Sequence, residues 1–166
     1  MPFPHLRIRG SILSMMSAGH SRLERRLIDS LYVEAMLLAD EARSYFDDRG
    51  RVERDRLEPL MRVVFSCESM KVTTRLMHVI AWLLTQRAVG AGELSRRDAL
   101  DPSRRLGEGP TSDDSGLTAL PDTARVLIAA SDDLHRRVAR LDAAQSEPPL
   151  VLSPARAMQD RLASAF

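Results

Sequence analysis

One twenty-residue stretch, FSCESMKVTTRLMHVIAWLL at 65–84, holds the only cysteine, the only lysine and the only tryptophan of the chain. A histidine sits among them, so a thiol and an imidazole share one segment. A nucleophile and its base must approach to about 3 Å. On a helix, Cys67 and His78 are separated by about 16 Å along the axis, too far for a dyad. Cys67 reads instead as a small apolar residue in a stripe, a common place for a free cysteine. His78 could meet His135 from a later helix, but two histidines without an acid or thiol make a poor metal site. No catalytic group, cofactor or metal site is expected from these residues.

Lys71, Arg75, His78 and Trp82 fall along one edge of that helix, setting positive charge beside a large aromatic. Contact sites between proteins favour this composition, so the four are candidate partner-binding residues. The alternative is a solvated edge with Trp82 sealing the core. The run HRRVAR contains Arg136, Arg137 and Arg140, countered by Asp132, Asp133 and Asp142. A DNA-reading helix would be basic and would follow a tight turn. Here a long loop precedes the helix and its charges are mixed.

Three helices must carry these side chains. The first reads from Ser21 to Asp48, with Leu27, Leu31, Ala35, Leu38, Ala42 and Tyr45 at helical spacing. Gly50 is the expected stop. The second reads from Glu58 to Val89, with Pro59 in the first turn and Gly90 at the C-terminal cap. The third reads from Pro121 to Ala144, with Leu127, Ala130, Leu134, Val138 and Leu141 on one seam. The spacing therefore predicts an all-α fold: an antiparallel three-helix bundle with a long loop between helices 2 and 3 and a flexible C-terminal tail. In that loop Ser95 and Asp98 could cap a short helix, and the rest reads as mobile.

The second helix has two apolar faces. Val63, Cys67, Met70, Thr74, Met77, Ala81 and Leu84 form one stripe, and Phe65, Val72, Leu76, Val79 and Leu83 form the opposite one. One face packs in the bundle. The other needs cover from a second copy, making a homodimer, or from the long loop.

At 166 residues the chain is long enough for one domain with a sizeable core. A formal net charge of +1 points to neither nucleic acid nor membrane. One cysteine cannot form an internal disulfide, which suits a reducing, cytoplasmic setting. No stretch approaches the roughly 20 apolar residues of a membrane span. The domain reading is a disordered or mis-annotated leader at 1–20, a helical domain at 21–145 and a flexible tail at 146–166. Ser11, Ser14 and Ser17 interrupt the leader's apolar run, which makes it a poor export signal. In the tail, Pro148, Pro149 and Pro154 break helix, yet Leu150, Val151, Leu152, Met158, Leu162 and Phe166 are apolar enough to bind a partner. Residues 155–166 could form a helix on contact.

Three segments carry a resemblance: SLYVEAMLLADEARSYFDD at 30–48, FSCESMKVTTRLMHVIAWLLTQRAVGAGE at 65–93 and RLG at 105–107. Together they resemble the RcdA family, the regulators of CtrA degradation of alphaproteobacteria, over residues 22–145. The steps Cys67-Glu68-Ser69, Thr73-Thr74-Arg75 and Ala81-Trp82-Leu83-Leu84 recur together in that family. The leader lies outside the likeness, and the tail matches in character rather than in motif. The resemblance implies a helical dimer without enzymatic activity, an adaptor that helps the ClpXP protease (ClpX unfoldase with ClpP) degrade cell-cycle regulators such as CtrA. It implies a hierarchy in which a CpdR-like response regulator primes the unfoldase, the RcdA-like protein docks, and a PopA-like cyclic-di-GMP effector attaches substrate. It also implies a cytoplasmic protein concentrated at a cell pole. The other reading is a helical transcription-associated regulator that binds DNA directly or through a partner.

Overall fold

The structure, a computed structural model, describes residues 9–146, with side chains from 21 onward except at 114 and 115. Residues 1–8 and the tail from 147 lie outside the described residues, and with them the tail's six apolar candidates. Three long helices dominate: α1 (Arg9–Ser44), α3 (Pro59–Ala91) and α6 (Asp122–Ser146). Between them lie α2 (Gly50–Asp55), α4 (Arg96–Ala99), a 3-10 turn at Pro102–Arg104, and α5 (Asp114–Leu117). Among the described residues there is no strand, so the fold is the expected all-α bundle.

The periodic apolar positions build the core. Leu31, Ala35 and Ala42 of α1 meet Val72, Leu76, Val79 and Leu83 of α3 and Leu127, Leu134 and Val138 of α6. Alanines at 35 and 42 let α1 approach its neighbours closely, since a small side chain permits short interaxial distances. Leu27 departs from the expected stripe and is exposed, because Ile28 takes the inward place.

Gly50 is not the stop that its type suggests. After Ser44 the chain takes a π-helical turn, Tyr45–Arg49, and continues as α2 through Gly50. A Cβ at Gly50 would sit 2.8 Å from the Tyr45 carbonyl oxygen and 3.1 Å from the Phe65 ring. The glycine is there for close approach rather than for a left-handed end. The extra residue of a π turn re-aims side chains, and Tyr45 and Phe46 here pack on Phe65, with Phe46 edge-on to Phe65 at 5.3 Å.

The end of α3 lies two residues beyond the expected one, with the cap at Gly92 rather than Gly90. Gly92 has φ 77°, the left-handed conformation that an L side chain resists. The Gly92 N–H donates to the Val89 carbonyl and the Glu93 N–H to the Ala88 carbonyl, the paired bonds of a Schellman cap. Ser95 then caps α4 as expected, its hydroxyl oxygen accepting from the Asp98 N–H at 3.0 Å.

Candidate functional site

The edge of α3 that carries Lys71, Arg75, His78 and Trp82 is not an outward face. Arg75 and Trp82 are each only 1% exposed. They are covered by the connection between α4 and α6, which was expected to be mobile and is instead bonded along the groove between α3 and α6. The Arg75 guanidinium donates to the Pro110 carbonyl at 2.9 Å, to Ser112 Oγ at 3.2 Å and to Ser131 Oγ at 3.1 Å. Ser112 in turn donates to Glu68 Oε2 at 2.5 Å, and Lys71 Nζ donates to Glu68 Oε1 at 2.6 Å. Burial pushes the Arg75 pKa down, opposed by the nearby Asp132 and Glu68 charges.

Two further ties lie towards the other end of this seam. The Trp82 indole N–H donates to Asp142 Oδ1 at 2.7 Å, and Arg105 grips the same carboxylate through Nε at 2.7 Å and Nη2 at 2.8 Å. The connection then passes so close to two imidazoles that side chains are excluded. A Cβ at Gly107 would fall 2.9 Å from the His78 ring, and one at Gly109 2.8 Å from the His135 ring. His135 Nε2 also hydrogen-bonds the Gly107 carbonyl at 3.0 Å, which requires its N–H on that nitrogen. The two histidines thus meet the same loop, and no cluster of three metal-ligating side chains exists among the described residues.

Burial pushes the Asp142 carboxyl up, but the bonds from Arg105 and Trp82 outweigh it and hold the pKa below its ordinary 3.8. A carboxyl whose pKa is lower folded than unfolded stabilises fully above the unfolded value, and that stabilisation is lost as pH falls through the folded one. Melting temperature should therefore drop below pH 3.8 in part through this group. Asp142→Asn is expected to destabilise at neutral pH by on the order of 2 kcal/mol and to flatten that acid limb in a thermal scan. An acid limb as steep as that of the parent would assign the loss to other carboxylates.

The second apolar stripe of α3 is open. Met70 and Met77 are 70% and 64% exposed, and Val63, Cys67 and Leu84 are exposed beside them. The long connection lies on the Arg75 edge, so it does not cover this stripe. Leu23, Val33, Met36 and Leu37 of α1 are exposed as well. Cys67→Ala removes a side chain that fills no core space here. It is expected to shift stability by less than about 0.5 kcal/mol in chemical denaturation. A loss of several times that would place the thiol in a packed interface.

The stripe and the four residues of the edge are legible in the sequence; Trp82 is buried, as the alternative of a tryptophan sealing the core has it, and Arg75, expected on a contact or solvated edge, is buried as well. Sequence reasoning missed Glu68, Arg105, Ser112 and Ser131 and the role of Asp142. Glu68, a carboxylate between two apolar faces in the same segment, was the available signal, because a buried charge demands a partner.

A helical bundle whose long connection is bonded down, and whose middle helix keeps a second apolar face open, has the make-up of a protein that works through contacts with other proteins. The family described as Protein of unknown function (DUF1465) matches residues 19–166. Among solved structures, RcdA from Caulobacter crescentus CB15 is 34% identical, with a TM-score of 0.59 over 72% of this chain and 90% of that one. The chain belongs to the RcdA family. No curated protein sequence matches.

Proposed function

We propose that this chain is a non-enzymatic adaptor that promotes ClpXP degradation of cell-cycle regulators such as CtrA. The observation that carries the reading is the likeness to RcdA, which spans 90% of that chain. The open stripe of α3 agrees with it, because an adaptor needs surface free for partners. Its partners are then the ClpX unfoldase primed by a CpdR-like response regulator, a PopA-like effector and the cargo, and its setting is the cytoplasm. No helix among the described residues is long and apolar enough to cross a membrane.

In this reading the α3 stripe pairs two copies as a homodimer, and the bonded seam gives the body its rigidity. Arg75 and Trp82 serve by holding the connection in place. Lys71 and His78, only half-buried, border the surface that the connection presents. The tail, through Leu150, Val151, Leu152, Met158, Leu162 and Phe166, supplies a cargo contact whose tether raises the local concentration of weakly bound cargo.

The test is reconstituted proteolysis with ClpXP, a CpdR-like regulator, a PopA-like effector and CtrA. The full chain should accelerate CtrA loss in a dose-dependent way. Ending the chain after Ser146 should lower delivery by tenfold or more, in line with the loss of tethering. It should lower the thermal midpoint by about 3 °C or less. Full-rate proteolysis by the shortened chain would remove the tail from the mechanism, and no acceleration by the full chain would remove the adaptor reading.

A further inference from the structure

A cleft of about 570 Å³ opens between the early part of α1 and the end of α3. Its floor is apolar, from Ile28, Val89, Gly90 and Ala91, and its rim is charged. Arg87 is paired with Asp29 at 3.0 Å and lies over the Tyr32 ring, while Arg96 reaches Glu24 at 3.2 Å. Arg25 lays its stem against Gly90, where a Cβ would come within 3.3 Å, and its guanidinium bonds the Ser21 carbonyl. No ion pair among the described residues involves Arg25. Three arginines against two carboxylates leave the rim with positive charge to spare.

The end of α6 arrives at this cleft. Gln145 Nε2 donates to Gln86 Oε1 at 2.9 Å, and Gln86 is part of the cleft wall. The Gln86 amide nitrogen is buried and finds no acceptor. A buried donor without an acceptor is unfavourable, so a carbonyl brought to it would be favoured. The chain leaves the described body at Ser146 with twenty residues still to run.

We infer that the cleft is the seat of the chain's own residues 147–152. Pro148 and Pro149 favour extended backbone over helix, because proline fixes φ and lacks a donor. Leu150 can lie up to ~13 Å from Ser146, within reach of the cleft without a detour. Leu150 and Leu152 then face one side at strand spacing, towards the apolar floor. Glu147 is the sole charge between 147 and 155, and it is negative, opposite to the rim. A backbone carbonyl of the segment supplies the acceptor that Gln86 lacks. The seated segment is withheld from other partners until it is released, which makes the cleft a regulator of whatever the tail binds. The inference does not depend on the adaptor reading.

Its test reads position and order in the full chain, not delivery. Backbone order parameters by nitrogen relaxation should be near 0.85 for Leu150, Val151 and Leu152, and unchanged on tenfold dilution. The double change Leu150→Asp and Leu152→Asp should lower them below 0.6 and shift the amide signals of Gly90, Ala91 and the Gln86 side chain. Arg25→Glu, at an exposed position, should do the same in part. Order parameters below 0.6 in the parent chain would overturn the proposal. So would signal shifts at Val63–Met70, which would seat the tail on the α3 stripe. Order that vanishes on dilution would give the seat to a second copy, and shifts at Gly90 on deleting residues 2–8 would give it to the N-terminal segment. Either result overturns the proposal too.

Discussion

Replacing Arg75 by glutamate is expected to destabilise the fold by about 3–5 kcal/mol, the cost of replacing a buried charge that is hydrogen-bonded through Nε and Nη1 by an uncompensated one. The guanidinium holds three partners across the seam, from two different segments. A glutamate there loses all three bonds and sets a second carboxylate near Glu68, itself only 3% exposed. Lys71 would be left as the cation bonded there, with Ser112 able only to donate a hydrogen bond. The midpoint of thermal unfolding, followed by circular dichroism, should fall by on the order of 10 °C. Lys71→Glu should also destabilise, because it removes the ammonium bonded at 2.6 Å to the buried Glu68 carboxylate and sets a like charge beside it. A variant at 75 that melts within 2 °C of the parent would mean that the seam adds little to stability, whatever its geometry.

The second large effect is on assembly. Met70→Glu combined with Met77→Glu places two charges at the middle of the open α3 stripe. If two copies meet there, each dimer must bury four carboxylates without partners, at several kcal/mol in total, which exceeds what a moderate homodimer can absorb. Sedimentation at micromolar concentration should move from about twice the chain mass to the chain mass. The monomer itself should melt almost unchanged, because both methionines are exposed within one copy. An unaltered dimer would transfer the interface to another face, with the exposed leucines of α1 next in line. A parent chain that sediments as a monomer would retire the dimer altogether.

What could be read from the sequence follows from the range of each interaction. The helices and the opposed stripes of α3 repeat every three to four residues, so Phe65, Val72, Leu76 and Val79 announce their face locally. The turn after α1 was not legible, because Gly50 serves a contact with Tyr45 and Phe65 rather than a backbone conformation. The seam was not legible either. Arg75 finds Pro110 and Ser131, and Trp82 finds Asp142, partners far along the chain that no periodicity connects. Hence an edge of lysine, arginine, histidine and tryptophan read as a contact surface when Lys71, Arg75 and Trp82 already had hydrogen-bond partners within the chain. The connection was misjudged for the same reason. Its Gly, Ser, Asp and Pro content describes what the segment can do alone, and not what Arg75, His78 and His135 require of it.

Trp82 is the only tryptophan of the chain, and it lies with its indole N–H bound at the point where α3, α6 and the connection meet. All tryptophan fluorescence from this protein therefore originates in the seam. An indole held in apolar surroundings emits at shorter wavelength than one in water, so a shift to the red reports the connection lifting away, without any attached dye. Far-ultraviolet ellipticity reports the helices. Recorded together on one sample, the two signals separate a molecule that has merely unlatched from one that has unfolded, and a partner that binds by opening the seam would announce itself as a change of colour at constant helix content.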